Sequence, residues 1–325
     1  MIINISNKDF KKHNKKILQD FSNISFLYGD SMQRYYNCIS SQKFKKIDNK
    51  SFLLVRNSKP IAAFYGALLE DTKKNLSTFE IPCTFLFKNN FLTASEFKTI
   101  LDEFNFFFKI VDGNVKFRDF LIDGDLNEIS KLLISKGAKE IRQYETILDL
   151  RSSEEELWRN LRKSYKSLIN WGNGNLSIKI YDNANITWDV FQKFIELHKL
   201  VTGKLTRPIE SWKEQYEMVR RKEAFVITGM LEEKLISAGF FIHNNSITYY
   251  AVSASNRNFF NKPVFHSIIW NAMMHSKKIG CKNFCFGQTF KNNLEKLTKK
   301  EKDVAFFKSG FGGEIKSSSL INYEK

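Results

Sequence analysis

Apolar positions along the chain recur with two different spacings. The segment SFLLVRNSKPIAAFYGALL (51–69) reads as an apolar strand, a short polar turn and a longer apolar strand. AFVITGMLEEKLISAGFFI (224–242) repeats that order. Both are hairpin signatures. Each is followed, after about 75 residues, by a helix-like run, a glycine and a strand: KLLISKGAKEIRQYETILDL around Gly137 and VAFFKSGFGGEIKSSSLINY around Gly310. Two landmarks at one offset predict a tandem duplication, as two-fold internal similarity generally does. The expected domains are 1–150 and 151–325.

Helical spacing fills the rest of the second half. Helices are expected at Trp188–Leu200, Ile209–Arg221 and Pro263–Ile279, with Pro263 in a first turn that needs no N–H and Gly280 at the end. Strands are expected at Ile247–Ser253 and Asn283–Gly287, and a basic helix near Asn292–Lys302. At the junction, Ser152 and Glu155 have the spacing of a capping box. The helix that follows is expected to run to about Asn170. It would carry Arg159, Arg162, Lys163 and Lys166 as one stripe, either a solvated face or a phosphate-facing ridge. The fold class is therefore α/β (α+β): two similar domains, each a mixed central sheet flanked by helices.

Composition narrows the function classes. The 325 residues are 42% hydrophobic and 26% charged, a globular balance. The longest apolar stretches, such as 61–69, fall far short of a membrane span. MIINISNKDFKKHNKK lacks the apolar core of a signal peptide, so a cytoplasmic location is expected. Four cysteines are too few for a disulfide scaffold, and Cys281 and Cys285 lack a following metal-ligand pair, so both are expected as buried thiols and no metal site is expected. The formal charge of +16 favours polyanionic partners, although 31 Phe and abundant Lys, Asn and Ile point to A/T-rich codons as one source. Residues 1–150 carry 23 basic and 18 acidic groups, net +5; residues 151–325 carry 28 and 17, net +11. Codon bias acts on both halves alike, so the excess points to an anionic ligand in the second half.

Four segments carry a resemblance: RKSYKSLIN, TGKLTRPIESWKEQ (202–215), NKPVFHSIIW (261–270) and FFKSGFGGE (306–314). With the order of elements, they resemble the GNAT acyltransferase fold. In tandem they resemble the Fem family of peptidoglycan-bridge aminoacyltransferases and the related Fem-like GNAT proteins. The resemblance implies an N-acyl or aminoacyl transferase acting on an amine of a nucleotide- or lipid-linked cell-envelope precursor, of peptidoglycan or amino-sugar type. The implied donor is aminoacyl-tRNA or acyl-CoA, with no tightly bound cofactor and peripheral contact with an anionic membrane as a further expectation. Lys308 matches the family's lysine and would face the developing oxyanion; His266 is the second catalytic candidate. Arg257, Lys262 and Phe307 are expected on the donor. Lys204, Arg207, Trp212, Gln215 and Tyr250 are expected on the acceptor, with Arg clamping phosphate and Trp stacking on a sugar or base. His198 and His266 also suit plain helix packing.

One departure bears on the donor. Enzymes of the fold that use acetyl-CoA hold its pyrophosphate on a glycine-rich loop at a helix start. Here the loop reads RNFFNKP (257–263), with the arginine and without the glycines. An aminoacyl-tRNA donor fits that loop better. The alternatives are an acetyl-CoA-dependent N-acetyltransferase of an amino sugar and a non-catalytic phosphate- or RNA-binding module.

Overall fold

A computed structural model describes residues 1–21, 25–72, 76–77, 82–87, 92–121, 124–291 and 297–324. In chain order the elements are β1 (Ile2–Asn4), α1 (Phe10–Asp20), α2 (Ser25–Tyr28), α3 (Asp30–Ser40), β2 (Lys46–Asn49), β3 (Phe52–Arg56), β4 (Lys59–Tyr65), β5 (Ala67–Glu70), β6 (Leu76–Ser77), β7 (Thr84–Phe87), α4 (Ala94–Ile110), β8 (Asn114–Asp119), α5 (Glu128–Ser135) and β9 (Lys139–Asp149). They continue as α6 (Glu154–Arg159), α7 (Lys163–Asn175), β10 (Ser177–Tyr181), α8 (Trp188–Thr202), α9 (Ile209–Arg220), β11 (Ala224–Leu231), β12 (Lys234–His243), β13 (Ile247–Ser255), α10 (His266–Lys278), β14 (Asn283–Lys291), α11 (Lys299–Ser309) and β15 (Glu314–Glu324). The architecture is the expected mixture of helices and mixed sheets.

Contacts divide the chain into two units. Unit 1 comprises residues 1–143 and 317–325, and unit 2 comprises 144–316. The sequence alone places the division at 150/151, because the capping box marks a helix start there. The folded chain changes unit inside two strands instead, β9 and β15. The last residues return to unit 1, where β15 pairs antiparallel with β8 from Ser319–Asp119 to Glu324–Asn114.

Both hairpins form. In unit 1, β3 and β4 pair with Arg56 opposite Lys59, and in unit 2, β11 and β12 pair with Leu231 opposite Lys234. The two turn residues are Asn57 and Ser58 in the first, and Glu232 and Glu233 in the second. All four have positive φ, between 48° and 63°. That is the two-residue turn whose twist suits a hairpin.

Unit 1 has an aromatic core. Phe52, Phe64, Phe85, Phe104, Phe107 and Phe117 are all buried, with Ile321 from the last strand among them. The core of unit 2 joins Leu157, Leu161, Tyr165 and Ile169 to Phe225, Phe241, Ile268, Phe284, Phe286 and Phe311. Its strands run in the order β10-β11-β12-β13-β14-β9-β15, with β13 and β14 parallel.

Several boundaries differ from the expectation, each for a local reason. The capping box is one residue later: the Ser153 hydroxyl accepts from Glu156 N–H at 3.2 Å and the Glu156 carboxylate accepts from Ser153 N–H at 3.0 Å. The run of serines and glutamates allows both registers. The junction helix breaks at 160–162 into α6 and α7, so the four basic residues do not form one continuous stripe. Arg162 turns back on α11, as described below. Helix α10 starts at His266, three residues after Pro263, because 257–259 close a 3-10 turn first. Of the basic helix expected near 292–302, residues 292–296 lie outside the described ones; the helix seen there, α11, begins at Lys299 behind a Thr298–Glu301 capping box. No helix of the described residues is long and apolar enough to cross a membrane.

Candidate active site

The parallel strands β13 and β14 pair only at their beginnings. Among the described residues the ladder runs Ile247–Asn283, Thr248–Phe284 and Tyr249–Cys285, and then stops, although β13 continues to Ser255 and β14 to Lys291. Gly287 follows the last pair with φ +72°, a conformation that a side chain would strain. A Cβ there would also sit 3.1 Å from the Tyr249 hydroxyl. Past Tyr249 and Cys285 the two strands run on with no further ladder pair among the described residues.

Lys308 closes on the end of this ladder. It lies in the last turn of α11 and is 8% exposed. Its Nζ donates to the Gln288 carbonyl of β14 at 2.6 Å. Burial pushes its pKa down to about 8, against the opposing pull of Cys285 and Glu145. A lysine so held carries a proton near neutrality and releases it easily, which suits a group that must meet transient negative charge.

Helix α11 is fixed from the junction. The Arg162 guanidinium donates to the Phe306 carbonyl at 3.1 Å and to the Ser309 hydroxyl at 3.0 Å, and lies 3.6 Å over the Phe306 ring. The Tyr165 hydroxyl donates to the Phe307 carbonyl at 3.1 Å. These donors satisfy carbonyls at the end of α11, where a cation is also favourable. Gly310 allows the approach: a Cβ on it would lie 2.2 Å from the Tyr165 ring. Unlike Gly137, which has φ +96°, Gly310 is in the ordinary helical region, and the positive-φ residues near it are Gly312 and Gly313.

Phe307 and His266 share one aromatic cluster. His266 packs edge-on to Tyr165 at 4.6 Å and to Phe307 at 5.1 Å, and Phe307 reaches Phe311 at 5.2 Å and Phe265 at 6.4 Å. Burial pushes the His266 pKa down to about 4. It is a neutral imidazole at pH 7 and a weak base, so the packing reading describes its surroundings better than the catalytic one. Tyr250 stacks on Phe241 at 5.6 Å and lies 5.9 Å from Phe265, with its hydroxyl on Ser253 at 2.6 Å. The structure thus brings Lys308, Phe307, His266 and Tyr250 to the end of the β13–β14 ladder.

The loop 256–264 uses its own donors. The N–H groups of Asn258, Phe259, Phe260, Lys262 and Val264 bond within the loop, to the Asn256 side chain, Asn256 O, Arg257 O, Phe259 O and Lys262 O. Pro263 has none to give. A pyrophosphate cradle of backbone amides is therefore not what this loop offers. Arg257 and Lys262 remain as exposed cations.

The acceptor stretch forms a second cluster on α8 and α9. The Arg207 guanidinium lies 3.5 Å over the Trp212 ring and donates to Gln215 Oε1 at 2.7 Å. Trp212 is fully buried, with His198 at 5.0 Å and Phe194 at 5.8 Å. It has no free face for a sugar or base, which corrects the expected stacking role. Gln215, 2% exposed, likewise supports Arg207. Burial and the Arg207 charge depress the His198 pKa. Lys204 is exposed in the preceding loop. No disulfide forms among the described residues; Cys83, Cys281 and Cys285 are buried thiols.

Sequence reasoning placed Arg162 on a basic stripe rather than against α11, and gave Tyr165 and Gly287 no role. The signal for Gly287 was a glycine late in a strand otherwise read to its end.

No family model and no curated protein matches this sequence. Solved structures do. FemX superposes with a TM-score of 0.72 at 12% identity, covering 99% of this chain and 96% of FemX. A tandem GNAT protein from the clavulanic acid biosynthesis pathway gives 0.58 at 9% identity, with 100% and 98% covered. The fold is the tandem GNAT fold. L-PGS from Bacillus licheniformis gives 0.52 at 10% identity over 84% of this chain and 83% of that one. At such identities the likeness extends to the tandem GNAT fold and no further.

Proposed function

We propose that the protein is an N-acyl or aminoacyl transferase whose reaction centre is the end of the β13–β14 ladder in unit 2. The observation that carries this reading is Lys308, a buried amine held on a strand carbonyl past the last pair of two parallel strands. The donor's acyl arm lies along the strands past that pair. The acceptor amine attacks the donor's ester or thioester carbonyl, forming a C–N bond and an oxyanion. The Lys308 ammonium faces that oxyanion. The intermediate collapses by breaking the carbon–oxygen or carbon–sulfur bond, and the amine's proton leaves through water to the departing alkoxide or thiolate. A preorganised donor at such a position contributes about 100-fold to 1000-fold in rate.

The acceptor is an amine on a nucleotide- or lipid-linked envelope precursor of peptidoglycan or amino-sugar type, with Arg207 and Lys204 on its phosphates, Gln215 and Trp212 setting the guanidinium plane, and Tyr250 at the reacting end. Arg257, Lys262 and Phe307 serve the donor. The self-satisfied loop 256–264 favours aminoacyl-tRNA over acyl-CoA. Labelled aminoacyl-tRNA and labelled acyl-CoA, each offered with amino-bearing nucleotide- and lipid-linked precursors, test the reading. Transfer from tRNA that falls about 100-fold in Lys308→Ala is expected. Transfer from acyl-CoA alone replaces the donor. Salt-sensitive RNA binding without turnover from either donor identifies a non-catalytic module instead.

A further inference from the structure

Two stretches of unit 2 contain no acidic residue. Residues 157–181, between Glu156 and Asp182, carry five Lys or Arg and no Asp or Glu; residues 234–294, between Glu233 and Glu295, carry seven and none. At the chain's average of 35 acids in 325 residues, about nine would fall in that combined length. Codon bias acts on the whole chain and does not account for two local gaps.

The fold brings the two stretches together. Helix α7 comes from the first; α10 and the loop before it come from the second. Tyr165 of α7 meets His266 at 4.6 Å, a Cβ on Gly172 would lie 2.2 Å from the Ser267 hydroxyl, and Asn271 Nδ2 donates to Asn173 Oδ1 at 3.0 Å. The loop lies beside the same helix: Phe259 and Trp171 pack on one small cluster of Leu176, Ile236 and Val264.

What this face shows to solvent is polar. On α7 the exposed side chains are Lys163, Ser164, Ser167, Asn170, Asn173 and Asn175. Leu168 and Trp171 are turned to the cores. In the loop, Arg257 and Lys262 are exposed on either side of Phe260, which is itself 63% exposed. The loop's amides bond among themselves, and the Phe260 N–H donates to the Arg257 carbonyl at 3.1 Å, so the ring stands on a fixed turn. A helix that lies on a membrane sets an apolar stripe beside its cations. α7 offers hydroxyls and amides instead, groups that bond phosphate and sugar oxygens. One aromatic ring between two cations suits an unpaired base.

We propose that this face binds RNA, with Lys163, Arg257 and Lys262 on phosphates and Phe260 stacked on an unpaired base. It rests on the transferase reading for one point, that the bound RNA is the donor. Anisotropy titrations of the full chain with deacylated tRNA, repeated across about 50–200 mM KCl, test it. Wild type is expected to bind with a log–log salt slope of about −2 from the three phosphate contacts. Lys163→Gln, Arg257→Gln and Lys262→Gln are each expected to weaken binding severalfold and to flatten that slope by about one. Phe260→Ala is expected to weaken binding about tenfold at an unchanged slope, and Phe260→Trp to restore it. Lys11→Gln with Lys12→Gln, exposed cations of α1, is expected to change nothing and reports unspecific charge. Absence of binding, an equal loss in the α1 variant, or binding unchanged in Phe260→Ala overturns the proposal. So does tighter binding to vesicles of pure phosphatidylglycerol than to tRNA. The titration uses no acyl group and no acceptor, so the two readings fail separately. Binding without transfer leaves this face standing. Transfer from aminoacyl-tRNA with unchanged KM in the variant combining Lys163→Gln, Arg257→Gln and Lys262→Gln leaves the transferase reading standing and overturns the face.

Discussion

An ammonium at 8% exposure works against folding, because burial favours the neutral amine. Lys308 is depressed to about 8 in the folded chain and is near 10.4 when unfolded. The unfolded state therefore binds more protons between those values, and wild-type stability rises with pH across that window. Lys308→Met removes the penalty. At pH 7 its unfolding free energy is expected to be equal or higher, by about 1 kcal/mol, while transfer is lost. The rise in stability above pH 8 should vanish with it; a variant that melts well below wild type contradicts this. If the cation is the working form, kcat falls as pH rises through about 8, and Lys308→Arg, ionised throughout, loses that limb. His266 acts with the same sign in a more acidic window. Its pKa is about 4 folded and near 6.5 unfolded, so its contribution is complete above pH 6.5 and is lost as pH falls toward 4. His266→Phe keeps the aromatic packing and should flatten acid unfolding in that window by about 1–2 kcal/mol. Urea titrations at pH 4.5 and 7 measure it.

At the scale of elements, α11 is placed by α7. The contact depends on the lack of a Cβ at Gly310, since Tyr165 is buried and its hydroxyl is engaged by the Phe307 carbonyl. Gly310→Ala must move that ring or the helix end, and about 2–3 kcal/mol of destabilisation is expected from overpacking. Because α11 carries Lys308, kcat should fall more than KM rises; unchanged melting and turnover would show that the helix end can give way. The sequence showed hairpins, helices and two copies clearly, since these follow from local periodicity. It also placed FFKSGFGGE at a helix end, where α11 closes with Ser309. It did not show why Gly310 is a glycine. Gly137 and Gly310 look equivalent in sequence, but one needs a left-handed backbone and the other needs room for a ring 145 residues away. Trp212 was misread for a similar reason. An aromatic beside Arg and Gln suggests a ligand platform, and only the packing of Phe194 and His198 shows that its faces are taken. Contacts between distant segments leave no periodic trace.

For the whole molecule, the end of the chain belongs with its beginning. Ile321 is fully buried in the unit 1 core, Tyr323 packs on Phe108 at 5.1 Å, and the Ser319 hydroxyl donates to the Glu140 carboxylate at 2.5 Å. A linear division at residue 150 would assign these residues to the wrong unit, because their sequence resembles the last strand of a second copy. Deleting 317–325 removes the β15 partner of β8 and one buried isoleucine, whose loss alone costs about 2–5 kcal/mol. Unit 2 keeps its core, its β13–β14 ladder and Lys308, all of which lie within 144–316. The truncated chain is therefore expected to unfold in two steps, with unit 1 melting first. Hydrogen exchange reads this directly: amides of Asn114–Asp119 should lose protection while those of β11 and β12 retain it. Equal protection in both segments would mean that β8 does not depend on the last strand.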